Sequence, residues 1–80
     1  MKKYLICNDG CDDSTEFEIE LTDEEVKTLV KVFNANNKKA NYQCRPSIFI
    51  YDEYEVEEEG WYNRKHCLNK THDELKGEDK

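Results

Sequence analysis

Eighty residues carrying a formal net charge of −7 set tight bounds on this chain. A chain of that length builds one domain with a thin core, and with 36% apolar and 39% charged residues it has little apolar surface to spare. No apolar run approaches the ~20 residues of a membrane-spanning helix, and the opening Met1-Lys2-Lys3-Tyr4-Leu5-Ile6-Cys7 is too short for a secretory signal before charges follow. A cytoplasmic location is expected, with reduced thiols.

Tyr4 to Asn8 is a short apolar run and predicts a first strand. Asn8-Asp9-Gly10-Cys11-Asp12-Asp13-Ser14 follows; Asp-Gly and its small polar neighbours favour a turn. In Thr15-Glu16-Phe17-Glu18-Ile19-Glu20-Leu21 the alternation is strict. Phe17, Ile19 and Leu21 share one face, and Glu16, Glu18 and Glu20 share the other, which predicts a half-buried second strand. Thr22-Asp23-Glu24-Glu25 predicts a helix start: Thr22 and Glu25 suit a capping box, Leu21 and Val26 a hydrophobic staple, and the acids suit the positive end of the helix dipole. Val26, Leu29, Val30 and Phe33 recur at helical spacing. The helix is expected to end near Asn34–Asn37, whose side chains compete for backbone hydrogen bonds.

A polar, basic loop from Asn36 to Arg45 leads to Pro46. Ser47-Ile48-Phe49-Ile50-Tyr51 predicts a third strand that can run on through Tyr54 and Val56. Gly60-Trp61-Tyr62 is expected to turn the chain and pack an aromatic on the domain, and residues 64–76 to form a weak helix. The expected fold class is α+β: a ββαβ domain over residues 1–62, whose small antiparallel three-stranded sheet has strand order 2-1-3 and one helix on one face. Residues 63–80 are expected to be a C-terminal extension, partly helical or mobile.

Charge is blocked along the chain. Asp9 to Glu25 holds nine acids and no base, Lys27 to Arg45 five bases and no acid, and Asp52 to Glu59 six acids and no base. Alternate residues of a strand stand ~7 Å apart on one face, close to the spacing of phosphates along a DNA strand. Asp12, Asp13, Glu16, Glu18, Glu20, Glu53 and Glu55 are therefore the candidate contacts for a basic protein partner, with Tyr54 among them because tyrosine is enriched at interfaces. Tyr62 is a second interface candidate, while Tyr51 and Trp61 are assigned to the core. The competing reading is a solvated face that keeps strand edges from aggregating. Direct nucleic-acid binding is not expected, since only Lys38 to Arg45 clusters bases.

Cys7, Cys11, Cys44, His66 and Cys67 raise the alternative of a small zinc-stabilised structural or interaction module, but no second ligand pair matches Cys7 and Cys11. No metal site, calcium loop or cofactor is assigned. Cys67 beside His66 offers a nucleophile and a base, yet sequence neighbours seldom face each other as a dyad must. With no phosphate-cradling loop or serine motif, no enzyme is expected. Another alternative is a homodimer pairing through a strand edge.

Lysine outnumbers arginine ten to two and asparagine occurs seven times, usage that fits AT-rich coding. Lys3-Tyr4-Leu5-Ile6-Cys7-Asn8-Asp9-Gly10-Cys11-Asp12-Asp13-Ser14-Thr15, followed by Leu21-Thr22-Asp23-Glu24-Glu25, resembles the opening of small acidic proteins of phages and prophages of such bacteria. The resemblance implies a phage accessory protein in the host cytoplasm, either an inhibitor or a homodimeric component. Inhibitors of that kind, anti-CRISPR proteins included, cover a basic, nucleic-acid-binding surface of a defence enzyme. No site residue carries over from it.

Overall fold

A computed structural model describes residues 1–10, 14–40, 46–58 and 60–78. The elements follow as β1 (Lys2–Asp9), β2 (Ser14–Leu21), α1 (Asp23–Lys39), β3 (Ser47–Glu58), β4 (Trp61–Cys67) and α2 (His72–Glu78). The sheet is antiparallel, with strand order β2-β1-β3-β4. The α+β class and the 2-1-3 order read from the sequence are present, but the sheet has four strands where three were expected. Trp61–Cys67 is the added strand, so a domain boundary after residue 62 would cut β4 in two, and the helix expected over 64–76 is confined to α2. Residues 79–80 of the expected extension lie outside the described residues.

The start of α1 follows its sequence. Thr22 Oγ1 accepts from the Glu25 N–H at 3.2 Å, and Glu25 Oε1 accepts from the Thr22 N–H at 2.9 Å. The stripe Val26, Leu29, Val30 and Phe33 packs on Tyr4, Ile6, Leu21 and Ile50, joined by Ile48 and Leu68. The asparagines do not end the helix where expected; it runs on to Lys39. Asn37 is instead fully buried. Its Nδ2 donates to the carbonyls of Ile48 and Lys70, both at 2.9 Å, and its Oδ1 accepts from the Ile48 N–H at 2.8 Å. Asn69 supplies a second such link, accepting from the Ile50 N–H at 2.9 Å and donating to the Ile48 carbonyl at 2.8 Å. Asn34 accepts from the Lys70 N–H at 2.8 Å. Ladder pairing between β3 and β4 reaches no further than Tyr51 and Cys67. Beyond that point the two amides serve the Ile48 N–H and carbonyl and the Ile50 N–H, and the Leu68 N–H donates to the Ile50 carbonyl at 2.8 Å.

The β3–β4 hairpin is bent. Register shifts interrupt its ladder between Tyr51 and Glu53, between Glu53 and Tyr54, and between Val56 and Glu58. Such irregularities bend and twist a hairpin. In a flat sheet β4 would stand ~14 Å from β2, three strand spacings away. Yet Arg64 of β4 reaches Glu16 of β2 at 3.1 Å, and Tyr54 of β3 reaches Glu18 at 2.7 Å. The hairpin therefore curls over the side of the sheet away from α1. Central strand β1 is thus covered on both sides: Tyr4 and Ile6 toward α1, Leu5 and Cys7 (both 0% exposed) away from it. That is why β1 reads as an unbroken apolar run, the pattern of a doubly buried strand.

Gly60 takes φ 85° at the hairpin turn, a left-handed conformation in which glycine carries no Cβ penalty. Trp61, assigned to the core, opens β4 and is 70% exposed; the aromatic of this segment that packs on the domain is half-buried Tyr62, against Tyr54.

Candidate binding surface

β2 is an edge strand, and its alternation places Glu16, Glu18 and Glu20 on the side away from α1. The three carboxylates have different surroundings. Glu16 is half-buried. Its Oε2 accepts from Arg64 Nε at 3.1 Å and from the Cys7 thiol at 3.5 Å. The Arg64 guanidinium also grips Asp9 with both terminal nitrogens, each at 3.2 Å, and lies 5.5 Å from the centre of the Tyr51 ring. Burial works against the Arg64 charge, but the hydrogen bonds to Asp9 and Glu16 outweigh it and raise its pKa. Burial and the Glu16 contact push the Cys7 thiol up to about 12 despite the opposing field of Arg64.

Glu18 is exposed and accepts the Tyr54 hydroxyl at 2.7 Å. Burial, followed by this hydrogen bond and the charge of Glu18, raises the Tyr54 pKa. Tyr54 in turn meets Tyr62 edge to face, with ring centres 6.1 Å apart. Glu20 is exposed, makes no ion pair among the described residues, and stands opposite Lys3 in the ladder.

Of the residues proposed from sequence, the structure thus brings Glu18 and Tyr54 together and lines Glu16 and Glu20 beside them. Glu55 follows Tyr54 without a register shift and so points to the other side of the hairpin, where it pairs with Lys65 at 3.6 Å. Glu53 is exposed on the same strand. Asp12 and Asp13 lie outside the described residues. Tyr51, assigned to the core, is half-buried beneath Arg64.

The alternating strand was expected to bury Phe17, Ile19 and Leu21 against the helix. Only Leu21 is buried; Phe17 is 47% and Ile19 38% exposed. The main contact of α1 with the sheet is to β3, and its flank rests on α2. The outer edge is left open, and a groove of about 480 Å³ runs between β2 and α1, lined by Ile19, Leu21, Glu24, Glu25, Thr28 and Leu29. Val32, one helical turn beyond Thr28 and Leu29, is 52% exposed. Strand alternation tells which residues share a side. It does not tell how far a helix reaches across the sheet, and the groove was missed for that reason.

His66 and Cys67 diverge, as neighbours in a strand do. His66 Nδ1 lies 2.6 Å from Asp52 Oδ1, while the Cys67 thiol donates to the Asn69 carbonyl at 3.3 Å. Burial raises the Cys67 pKa. Among the described residues no three of His, Cys, Asp and Glu gather as metal ligands would; Cys11 and Cys44 lie outside them. No described helix is long and apolar enough to cross a membrane. No family model, curated protein or solved structure matches the chain.

Proposed function

We propose that the chain is an acidic protein-binding module whose partner presents a basic surface. The observation that carries this reading is the row Glu16, Glu18 and Glu20 on an edge strand, on the side that no helix covers. Hydrogen bonds from Arg64 and Tyr54 hold the first two carboxylates in place. Exposed Glu24 and Glu25 add negative charge at the start of α1, on the other side of the sheet. Preset charges attract an oppositely charged partner and set its orientation more than they add raw affinity. In the phage setting implied by the N-terminal resemblance, the partner would be a host defence enzyme whose nucleic-acid-binding surface the module occupies. Arg64 compensates one of the two charges of Glu16 and Asp9, so the row offers fewer free charges than a run of phosphates, and Glu18 and Glu20 carry most of the contact.

The test is retention of host basic proteins on the immobilised chain, compared with the Glu18→Lys/Glu20→Lys variant across a salt series. These two exposed positions spare the Glu16–Arg64 contact but remove the Tyr54–Glu18 hydrogen bond, so the variant's fold is checked by its amide spectrum. Retention by the original chain should fall steeply as salt rises, because surface charges are screened within ~10 Å at 0.1 M. The variant should retain at least about tenfold less. Equal retention by both chains would exclude this surface.

A further inference from the structure

We infer that β2 is a strand-addition site: an extended segment of the basic partner pairs with its free edge and sets apolar side chains in the groove against α1. The proposal rests on the acidic-module reading and specifies how that module holds its partner.

The two edges of the sheet differ. The ladder of β3 with edge strand β4 is broken by register shifts, and β4 carries Arg64 and Lys65, devices that blunt an edge. β2 has neither the breaks nor a cation; its charges are Glu16, Glu18 and Glu20, which deter a like-charged strand and leave the edge open to a basic one. Its eight residues run in unbroken register with β1, without proline or lysine. Among the described residues, its outer backbone groups face no other strand. An added strand would meet two surfaces at once, because its side chains alternate. Those on the α1 side enter the groove beside Ile19, Leu21 and Leu29, with half-exposed Phe17 at the same edge. Those on the other side meet Glu16, Glu18 and Glu20.

Charge selects the occupant. A second copy pairing β2 with β2 in antiparallel fashion would set two rows of glutamate against each other on one side of the joined sheet, and like charges directly opposite destabilise a strand pair. A strand with lysine or arginine at alternate positions meets the same row with opposite sign. The occupant is therefore an extended segment in which basic and β-branched or leucine residues alternate.

The probe is an eight-residue peptide alternating lysine with valine or leucine, titrated into the isotope-labelled chain and read by amide shifts and hydrogen exchange. Two further peptides carry N-methyl groups on one or the other alternate set of backbone amides. Slowed exchange along β2, blockage by only one methylated set, and at least about tenfold weaker binding to Ile19→Lys would establish strand addition. Ile19 is 38% exposed, so that variant should fold, which its amide spectrum checks. Binding that ignores both N-methylation and Ile19→Lys, yet is lost in Glu18→Lys/Glu20→Lys, would overturn strand addition and leave the acidic-module reading standing. Concentration-dependent dimerisation through β2 would overturn the choice of occupant. Failure of the peptide to bind at low salt would overturn the proposal, while the retention experiment decides the broader reading independently.

Discussion

Asn37 shows how one polar side chain can hold a small fold. Its amide carries three backbone hydrogen bonds, two to Ile48 and one to Lys70, from a position with no solvent exposure. A buried amide so placed has no water to fall back on. Asn37→Leu would orphan the Ile48 N–H and remove one donor from the Lys70 carbonyl, while Asn69 still serves the Ile48 carbonyl. An orphaned buried group costs about 1–3 kcal/mol, so the expected loss is about 2–3 kcal/mol. Removing the exposed cap with Thr22→Ala should cost only about 1 kcal/mol. Urea denaturation of both variants measures the difference. Equal losses would mean that the Asn37 contacts add nothing beyond an ordinary cap.

At the scale of elements, the hairpin β3–β4 divides what the sequence reveals from what it hides. β2 and α1 were legible because their apolar residues follow periods of two and 3.6, and those periods do survive in the fold. β4 was not legible. Trp61-Tyr62-Asn63-Arg64-Lys65-His66-Cys67 shows no clean alternation, because its inward residue Arg64 is satisfied by ion pairs rather than by apolar burial. The partners of Arg64, Asp9 and Glu16, lie more than forty positions away in sequence, and no local pattern announces them. The acidic row was legible as a pattern, whereas the ties of Glu16 and Glu18 to the hairpin required the bend. Arg64 and Glu16 should consequently couple. Their side chains are 31% and 24% exposed, between the surface and buried regimes. Arg64→Ala should cost about 1–3 kcal/mol. A double-mutant cycle with Glu16→Gln should return a coupling of at least about 1 kcal/mol, with Arg64→Lys retaining only part of it because a single ammonium cannot replace the Nε–H donated to Glu16 while also holding Asp9. A coupling near zero would show that the hairpin is held down by its apolar contacts alone.

For the molecule as a whole, the consequence of a curled sheet is that it shelters several weak acids in neutral form. The chain spans 38 × 31 × 17 Å, so few groups lie far from water. Even so, burial raises the pKa values of Cys7, Cys67, Tyr51 and Tyr54 together. Cys7 is the clearest, moving from 9.0 to about 12. For such groups the folded form holds its proton where the unfolded form has lost it. The unfolded state then binds fewer protons, so stability is fully present below the unfolded pKa and declines as pH rises toward the folded value. The Cys7 window opens near pH 9 and closes near pH 12. Within it the thiol alone should remove about 1.4 kcal/mol per pH unit, with Cys67 and the two tyrosines adding in the same direction. Cys7→Val keeps a small, strand-compatible side chain at a fully buried position and has no proton to lose. Urea midpoints at pH 8, 9, 10 and 10.5 should fall for the original chain and fall less steeply for Cys7→Val, the gap widening above pH 9. Parallel slopes for the two proteins would mean that the thiol under Arg64 ionises as easily in the folded state as in the unfolded one, and that the hairpin does not seal that side of β1.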